Sequence, residues 1–355
     1  MRRRPTRPVQ VGSVQIGGEA RVSVQSMTNT DTGDVEATLQ QIRHLAAAKA
    51  DIVRVAVPKA DALEAFGRIV HLSPVPIVAD IHFDHRLAIE AARLGAHKLR
   101  INPGNIGGRA RIAEVIAAAR DHGIPIRIGV NAGSLEKDLL ARHGGPTSEA
   151  LVESARRNLS LVGELGFGDL VVSIKTSDVP TFIAANEAFA ADTDVPLHLG
   201  VTEAGLPGQG TIKSAVGVGA LLAQGIGDTV RVSLTGDPVE EVHAGRAILR
   251  ALGIISGPEL ISCPTCARCH MDIEPLARRV EEALRDVTVP MKVAVMGCEV
   301  NGPGEAKHAD VGIAAGSGRA VLFRRGRVVK TLPEAEAEEA LLQAIQDLAQ
   351  GWPAG

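Results

Sequence analysis

Residues 51–105, DIVRVAVPKADALEAFGRIVHLSPVPIVADIHFDHRLAIEAARLGAHKLRINPGN, decide the fold. Three short apolar runs, DIVRVAVP (51–58), PIVADIHF (76–83) and KLRINPGN (98–105), alternate with amphipathic stretches such as HRLAIEAARLGA. Apolar residues recurring every three or four positions mark a helix. A short branched run bounded by Pro, Gly, Asn or Asp marks a buried strand. The unit repeats in both directions: VSVQSMTN (22–29) precedes it, and PIRIGVNAGS (125–134), DLVVSIKTSD (169–178), PLHLGVTEAG (196–205) and DTVRVSLTGD (228–237) follow. Eight consecutive βα units over roughly 235 residues predict a (β/α)8 barrel of the TIM type, which takes about 250. A doubly wound open sheet is the alternative, but no unit carries its G-x-G-x-x-G turn. The glycine-rich pieces GLPGQGT and GNIGG lack Walker spacing.

After Gly253 the pattern changes. ISGPELISC reads as a linker, which divides the chain into a barrel over 1–255 and a small C-terminal α/β domain over 256–355. In the second domain the pattern predicts a strand ending in a cysteine cluster, a helix near 273–286, a strand in MKVAVMGC and another in DVGIAAG. A hairpin in AVLFRRGRVVKTL follows, then a closing helix, PEAEAEEALLQAIQDLAQ, with Thr331 and Glu334 at capping-box spacing.

Composition narrows the function classes. A hydrophobic fraction of 45% and a charged fraction of 22% suit a globular protein. Aromatics make up 2%, with no Tyr, which argues against base-stacking platforms for nucleic acid. A net charge of −3 gives no drive toward nucleic acid or anionic membrane. The basic start, MRRRPTRPVQ, is followed by no apolar signal core and reads as a frayed, solvated end. No run is long and apolar enough to span a bilayer, and the expected location is the cytoplasm.

Catalytic groups of such a barrel sit where strands end. Asn29, His82, Arg100, Asn102, Asn105, Arg127, Asn131, Lys175, Glu203, Arg231 and Ser233 lie at or near those ends. A cation inside a barrel strand is costly unless something anionic meets it. Arg100, Arg127, Lys175 and Arg231 converging on one mouth would suit a phosphate or diphosphate, because guanidinium forks bind its oxygens bidentately. The competing expectation is internal ion pairing with Asp80, Asp169 or Glu203. Glu203 is the rim carboxylate placed to give or take a proton, and His198, earlier in its strand, is equally readable as a core histidine.

Four cysteines carry the remaining chemistry: Cys263, Cys266 and Cys269 in SCPTCARCH, and Cys298 in CEVNGPGE. Thiolates bind zinc or iron–sulfur clusters. One CxxCxxC and a lone Cys fit neither the usual paired CxxC of structural zinc nor the CxxxCxxC of radical enzymes, so a cluster, zinc and unligated thiols all remain open.

At these residues the chain resembles the 4-hydroxy-3-methylbut-2-enyl-diphosphate synthase family. The resemblance rests on SCPTCAR (262–268) and MGCEVNGPGE (296–305), with VQSMTNTDT, VADIHFD, KLRINPGNIG, IRIGVNAGSL, SIKTSD, LGVTEAG and RVSLTGDP in support. It runs nearly the full length and looks like the two-domain bacterial form. It implies a 4Fe–4S cluster held by Cys263, Cys266, Cys298 and Glu305, which leaves Cys269 a bystander or a substitute ligand. It implies a diphosphate grip by Arg100, Arg127, Asn131, Lys175, Arg231 and Ser233, with Asn301 near the cluster and Glu203 moving protons. The implied reaction is reductive ring opening of 2-C-methyl-D-erythritol 2,4-cyclodiphosphate, with electrons from reduced flavodoxin or ferredoxin, in a head-to-tail homodimer. The other classes considered are a non-redox barrel lyase with structural zinc and a cluster-bearing sensor that binds DNA or RNA.

Overall fold

The computed structural model describes residues 3–285, 287–298, 308–316 and 318–351. It divides into two compact units, Met1–Ile255 and Ser256–Gly355. In the first, eight parallel strands form the barrel: β3 (Ser23–Met27), β4 (Ile52–Ala56), β5 (Ile77–Asp80), β6 (Lys98–Ile101), β7 (Ile126–Asn131), β8 (Leu170–Lys175), β9 (His198–Leu199) and β10 (Thr229–Val230). They pair in the order β8-β7-β6-β5-β4-β3-β10-β9, and a parallel bridge between Val172 and Leu197 joins the two ends of that order. β9 and β10 are only two residues each, shorter than their apolar runs suggest.

Two-residue alternation gives these strands unlike faces. Ile77, Ala79, Leu99, Ile101, Ile126, Ile128, Val172 and Ile174 belong to the main apolar core with the surrounding helices. The alternate positions hold Asp80, Lys98, Arg100, Arg127 and Lys175, all buried. Barrels of this type usually fill their interiors with branched apolar side chains. Here only the floor is apolar: Ile52, Val78 and Val171 cluster with Val9, Val11 and Ile16. The last three come from an antiparallel hairpin, β1 (Val9–Val11) and β2 (Val14–Ile16), ahead of the barrel.

That hairpin corrects the expectation of a frayed basic end. Arg3 pairs with Asp228 at 2.8 Å and Arg7 with Asp194 at 2.7 Å. The Arg4 guanidinium donates to the Val195 carbonyl at 2.8 Å. The arm's partners lie about 190 to 225 residues away in sequence, so no local pattern could reveal them.

The second unit is a five-stranded sheet in sequential order: β11 (Glu259–Ser262), β12 (Lys292–Met296), β13 (Val311–Gly316), β14 (Arg319–Arg324) and β15 (Arg327–Pro333). β11, β12 and β13 are parallel, and the rest form an antiparallel meander. Arg325 and Gly326 join β14 to β15 with positive φ at both positions (48° and 73°), as a type I′ hairpin turn requires. Helices Ile273–Leu284 and Ala337–Gln350 bury Leu276, Val280, Leu341 and Ile345 with Val293, Val295 and Ile313 of the sheet. The closing helix begins at Ala337, so the predicted capping box fails: Thr331 lies in β15, paired with Val321, and Glu334 sits in a 3₁₀ turn.

Candidate active site at the barrel mouth

Strand register aligns the interior charges. Asp80 is level with Arg100, and Arg100 with Arg127, so three adjacent strands project a carboxylate and two guanidinium groups at one height. Asn131 and Lys175 are level with each other, closing β7 and β8. Arg231 lies just past β10, and Arg54 of β4 and Lys98, which opens β6, are both level with Val78, two residues below Asp80 and Arg100, with Arg54 reaching Asp80.

Two buried carboxylates answer these six cations, Arg54, Lys98, Arg100, Arg127, Lys175 and Arg231. Asp80 accepts from Arg100 at 3.0 Å and lies 3.8 Å from Arg54. Burial alone would raise the Asp80 pKa, but Arg54, the hydrogen-bonded His82 and Arg100 outweigh it and hold the carboxyl far below the usual range. Glu241, on the helix Pro238–Ala251, accepts from Arg231 at 3.1 Å and from Ser26 at 3.2 Å. The internal ion pairs weighed from sequence thus exist in part: Asp80 makes one, Glu241 replaces Glu203 in another, and Asp169 makes none.

The remaining cations make no ion pair among the described residues, and Asp80 offsets only part of the cost at Arg127. Arg127 is 1% exposed, and its Nε and Nη1 have no protein partner. Burial, then the charges of Arg54 and Arg100, push it well below the ordinary arginine range. Lys175 is shifted the same way, by burial and then by Arg127, Arg231, Arg54 and Arg100. Such a concentration of buried positive charge is expensive in the free protein and favourable only against a polyanion.

Two glycines make room for it. A Cβ on Gly129 would lie 2.9 Å from Arg100 Nε, and one on Gly200 would lie 3.0 Å from Lys175 Nζ and collide with the Arg231 carbonyl. Glu203 is exposed, with φ of +52°, a left-handed conformation rare for a non-glycine residue. Its loop is tied to the mouth by Thr202 N donating to Thr176 O at 3.2 Å and Thr235 N donating to Gly205 O at 2.9 Å. Strain of this kind gathers at functional positions. His82 stands beside the grip, its Nε2 2.6 Å from Arg100 Nη1. Asn131, closing β7, and Ser233, three residues beyond β10, are half-buried.

Sequence reasoning missed Arg54, Lys98 and Glu241 as members of this site. Arg54 and Lys98 were legible in principle, because each interrupts an apolar strand as Arg100 does.

In the second unit, Cys263 directly follows β11 and Cys298 lies two residues beyond β12, the neighbouring parallel strand. None of the four cysteines is in a disulfide. Cys263 Sγ accepts from Gly297 N at 3.2 Å, while Cys269 Sγ donates to the Met271 carbonyl at 3.1 Å. A Cβ on Gly297 would collide with Cys269 Sγ, so both thiols flank that glycine. Cys266 is exposed and Cys298 buried. Among the described residues no three His, Cys, Asp or Glu are gathered as closely as a single metal ion needs. A 4Fe–4S cluster takes one thiolate at each of several irons, and thiols on two adjacent strand ends with a backbone N–H aimed at sulfur fit that donor set. Glu305 and Asn301 lie outside the described residues.

The comparisons agree with both units. Residues 6–246 match the GcpE TIM-barrel domain and residues 259–347 the GcpE protein C-terminal domain. The chain is 55% identical over 346 residues to a 4-hydroxy-3-methylbut-2-en-1-yl diphosphate synthase (flavodoxin) of Natranaerobius thermophilus, covering 98% of this chain and 97% of that protein. It is 54% identical over 344 residues to the protein of the same name in Geobacter sulfurreducens, covering 97% and 98%. A dihydropteroate synthase structure from Stenotrophomonas maltophilia, 16% identical, superposes with a TM-score of 0.51 over 70% of this chain and 98% of that one, a likeness of fold alone. With both domains matched and more than half the residues identical end to end, this chain belongs to the 4-hydroxy-3-methylbut-2-en-1-yl diphosphate synthase family.

Proposed function

We propose that the protein converts 2-C-methyl-D-erythritol 2,4-cyclodiphosphate to (E)-4-hydroxy-3-methylbut-2-enyl diphosphate, with two electrons and two protons taken up and one water released. The observation that carries this is the excess of buried cations at the barrel mouth, in a member of a family of oxidoreductases named for a diphosphate product. Arg100, Arg127, Lys175 and Arg231 grip the diphosphate, with Asn131 and Ser233 donating to it and Arg54 closing the ring. Asp80 and His82 hold Arg100 in place, and Glu241 does the same for Arg231. Glu203, exposed on its strained turn, moves the proton that accompanies loss of the hydroxyl.

Cys263, Cys266 and Cys298, with Glu305 as the fourth ligand, would hold a 4Fe–4S cluster, and Asn301 would stand near it. When bound, the cluster supplies the electrons one at a time. A carboxylate is a weaker, harder donor to iron than a thiolate, which makes Glu305 the displaceable ligand of the four. Cys269 is a bystander, its hydrogen already given to Met271 O. Reduced flavodoxin is the donor in the relatives' names, and flavodoxin or ferredoxin would serve here. A head-to-tail homodimer, with each cluster domain serving the partner's barrel, completes the reading.

The test is iron, acid-labile sulfide and zinc on anaerobically purified protein, with turnover of the cyclic diphosphate under reduced flavodoxin. About four irons and four sulfides per chain, kept in Cys269→Ala, support the reading. Stoichiometric zinc without sulfide, and no turnover, would sink it in favour of a non-redox lyase. The dimer is tested by mixing Glu203→Gln and Cys298→Ala chains: activity regained on subunit exchange supports it, and none despite proven exchange refutes it.

A further inference from the structure

Below the ring of cations lies a second polar layer that the proposed reaction does not use. Lys98 projects into the barrel one layer beneath Arg100, and His198 opens β9, level with Thr229, which is level with Ser23. Lys98, His198 and Thr229 are 0% exposed, and Ser23 and Gln25 1%. Lys98 Nζ, both ring nitrogens of His198, both ends of the Gln25 amide and the hydroxyls of Ser23 and Thr229 meet no partner among the described residues. Ile52, Val78 and Val171, packed with the hairpin, lie near the starting ends of β4, β5 and β8, with Val78 level with Lys98. So many orphaned buried polar groups would be a heavy net cost if they had only structural duties.

The charges around them define what they could do. Lys98 is held well below the ordinary lysine range by burial, then by Arg127 of β7 and Arg54 of β4. His198 is lowered by burial, then by Arg127, Lys175 of β8, Lys98 and Arg54. Burial and these cations are the leading causes, and the nearby buried carboxylates are already engaged: Asp80 of β5 by Arg54 and Arg100, and Glu241 by Arg231 past β10. Burial and these charges thus drive both groups toward their neutral forms, under a field that stays positive while no anion sits above.

We propose that Lys98 and His198 form a proton-accepting floor beneath the anion site, which takes up a proton when a diphosphate occupies the cations above it. The inference rests on the diphosphate reading of the upper ring. Seating a polyanion there reverses the sign of the local field, and a neutral amine with no hydrogen bond to lose is the group that responds. Anion binding is then proton-linked, with affinity falling up to about tenfold for each unit of rising pH while uptake is complete. The proton arrives in the chamber before a reaction that consumes protons begins.

The probe is inorganic pyrophosphate, titrated calorimetrically into the full chain in buffers of different ionisation enthalpy. Wild type should take up about one more proton per bound pyrophosphate than Lys98→Met; subtracting the two removes the probe's own protons. Equal uptake in both overturns the inference and leaves the upper ring untouched. Failure of pyrophosphate to bind wild type overturns the diphosphate reading and this inference together. Labelling at lysine Cε in wild type and Lys98→Met gives a second readout, the variant separating Lys98 from Lys175, whose pKa is lowered in the same way. Free wild type should show a neutral-lysine signal that is missing from the variant and moves to the ammonium position with pyrophosphate, and its absence from free wild type overturns the proposal.

Discussion

Replacing Arg127 with methionine should stabilise this protein while abolishing its grip on a diphosphate. The guanidinium is fully buried, with Nε and Nη1 unpartnered and Arg54, Arg100 and Arg231 as its like-charged neighbours. Each orphaned buried donor costs about 1–3 kcal/mol. Exchanging a buried charge for an apolar side chain of similar length recovers about 1–4 kcal/mol. For a domain of this size, 1 kcal/mol moves the melting temperature by about 2–4 °C, so Arg127→Met should melt roughly 5–10 °C higher. The assay is calorimetric melting in buffer free of phosphate and sulfate, repeated with pyrophosphate. At a hundred times its Kd, pyrophosphate should stabilise wild type by about 2.7 kcal/mol and the variant hardly at all. A folded Arg127→Met protein that melts below wild type without anion would refute the reasoning, because the guanidinium would then be a net structural tie.

Three further outcomes are expected. Lys98 has a depressed pKa in the folded state, so its desolvation penalty is full at low pH and fades as pH rises toward the unfolded lysine value of about 10.4. The stability advantage of Lys98→Met in urea unfolding should therefore shrink by about 1.4 kcal/mol per pH unit across that window, and a flat difference would count against it. Gly129→Ala places a methyl 2.9 Å from Arg100 Nε, and steady-state kinetics should show kcat/KM down by about 10²-fold. Gly219→Ala, where a Cβ meets nothing within 4 Å, is the control, and equal kinetics in the two variants would remove the steric argument. Gly297→Ala should lower bound iron by pushing Cys269 against its neighbours, and adding Cys269→Ala should restore it. Iron analysis without that rescue would mean the glycine matters for another reason.

How far the sequence could be read is clear from particular residues. Arg100, Arg127 and Lys175 announce themselves because a charge in an apolar run is conspicuous. Arg54 and Lys98 sit in similar runs, but their place beside or beneath the ring depends on how β4 and β6 are aligned with their neighbours. Glu241 hides in an ordinary amphipathic helix, Pro238–Ala251, where an acidic residue carries no signal. The basic arm reads as solvated because its anionic partners, Asp194 and Asp228, are remote in sequence.

The sequence by itself determined the eight βα units, the division after the barrel and the cysteine motif, because periodicity and turn chemistry act over a few residues. Only the tertiary structure decided which cations share a level, which carboxylate answers which cation, and that Lys98 and His198 are fully buried at the starting ends of their strands. Those relations are set by barrel register and by the hairpin packed against Ile52, Val78 and Val171, and register joins strands whose alignment no local pattern encodes.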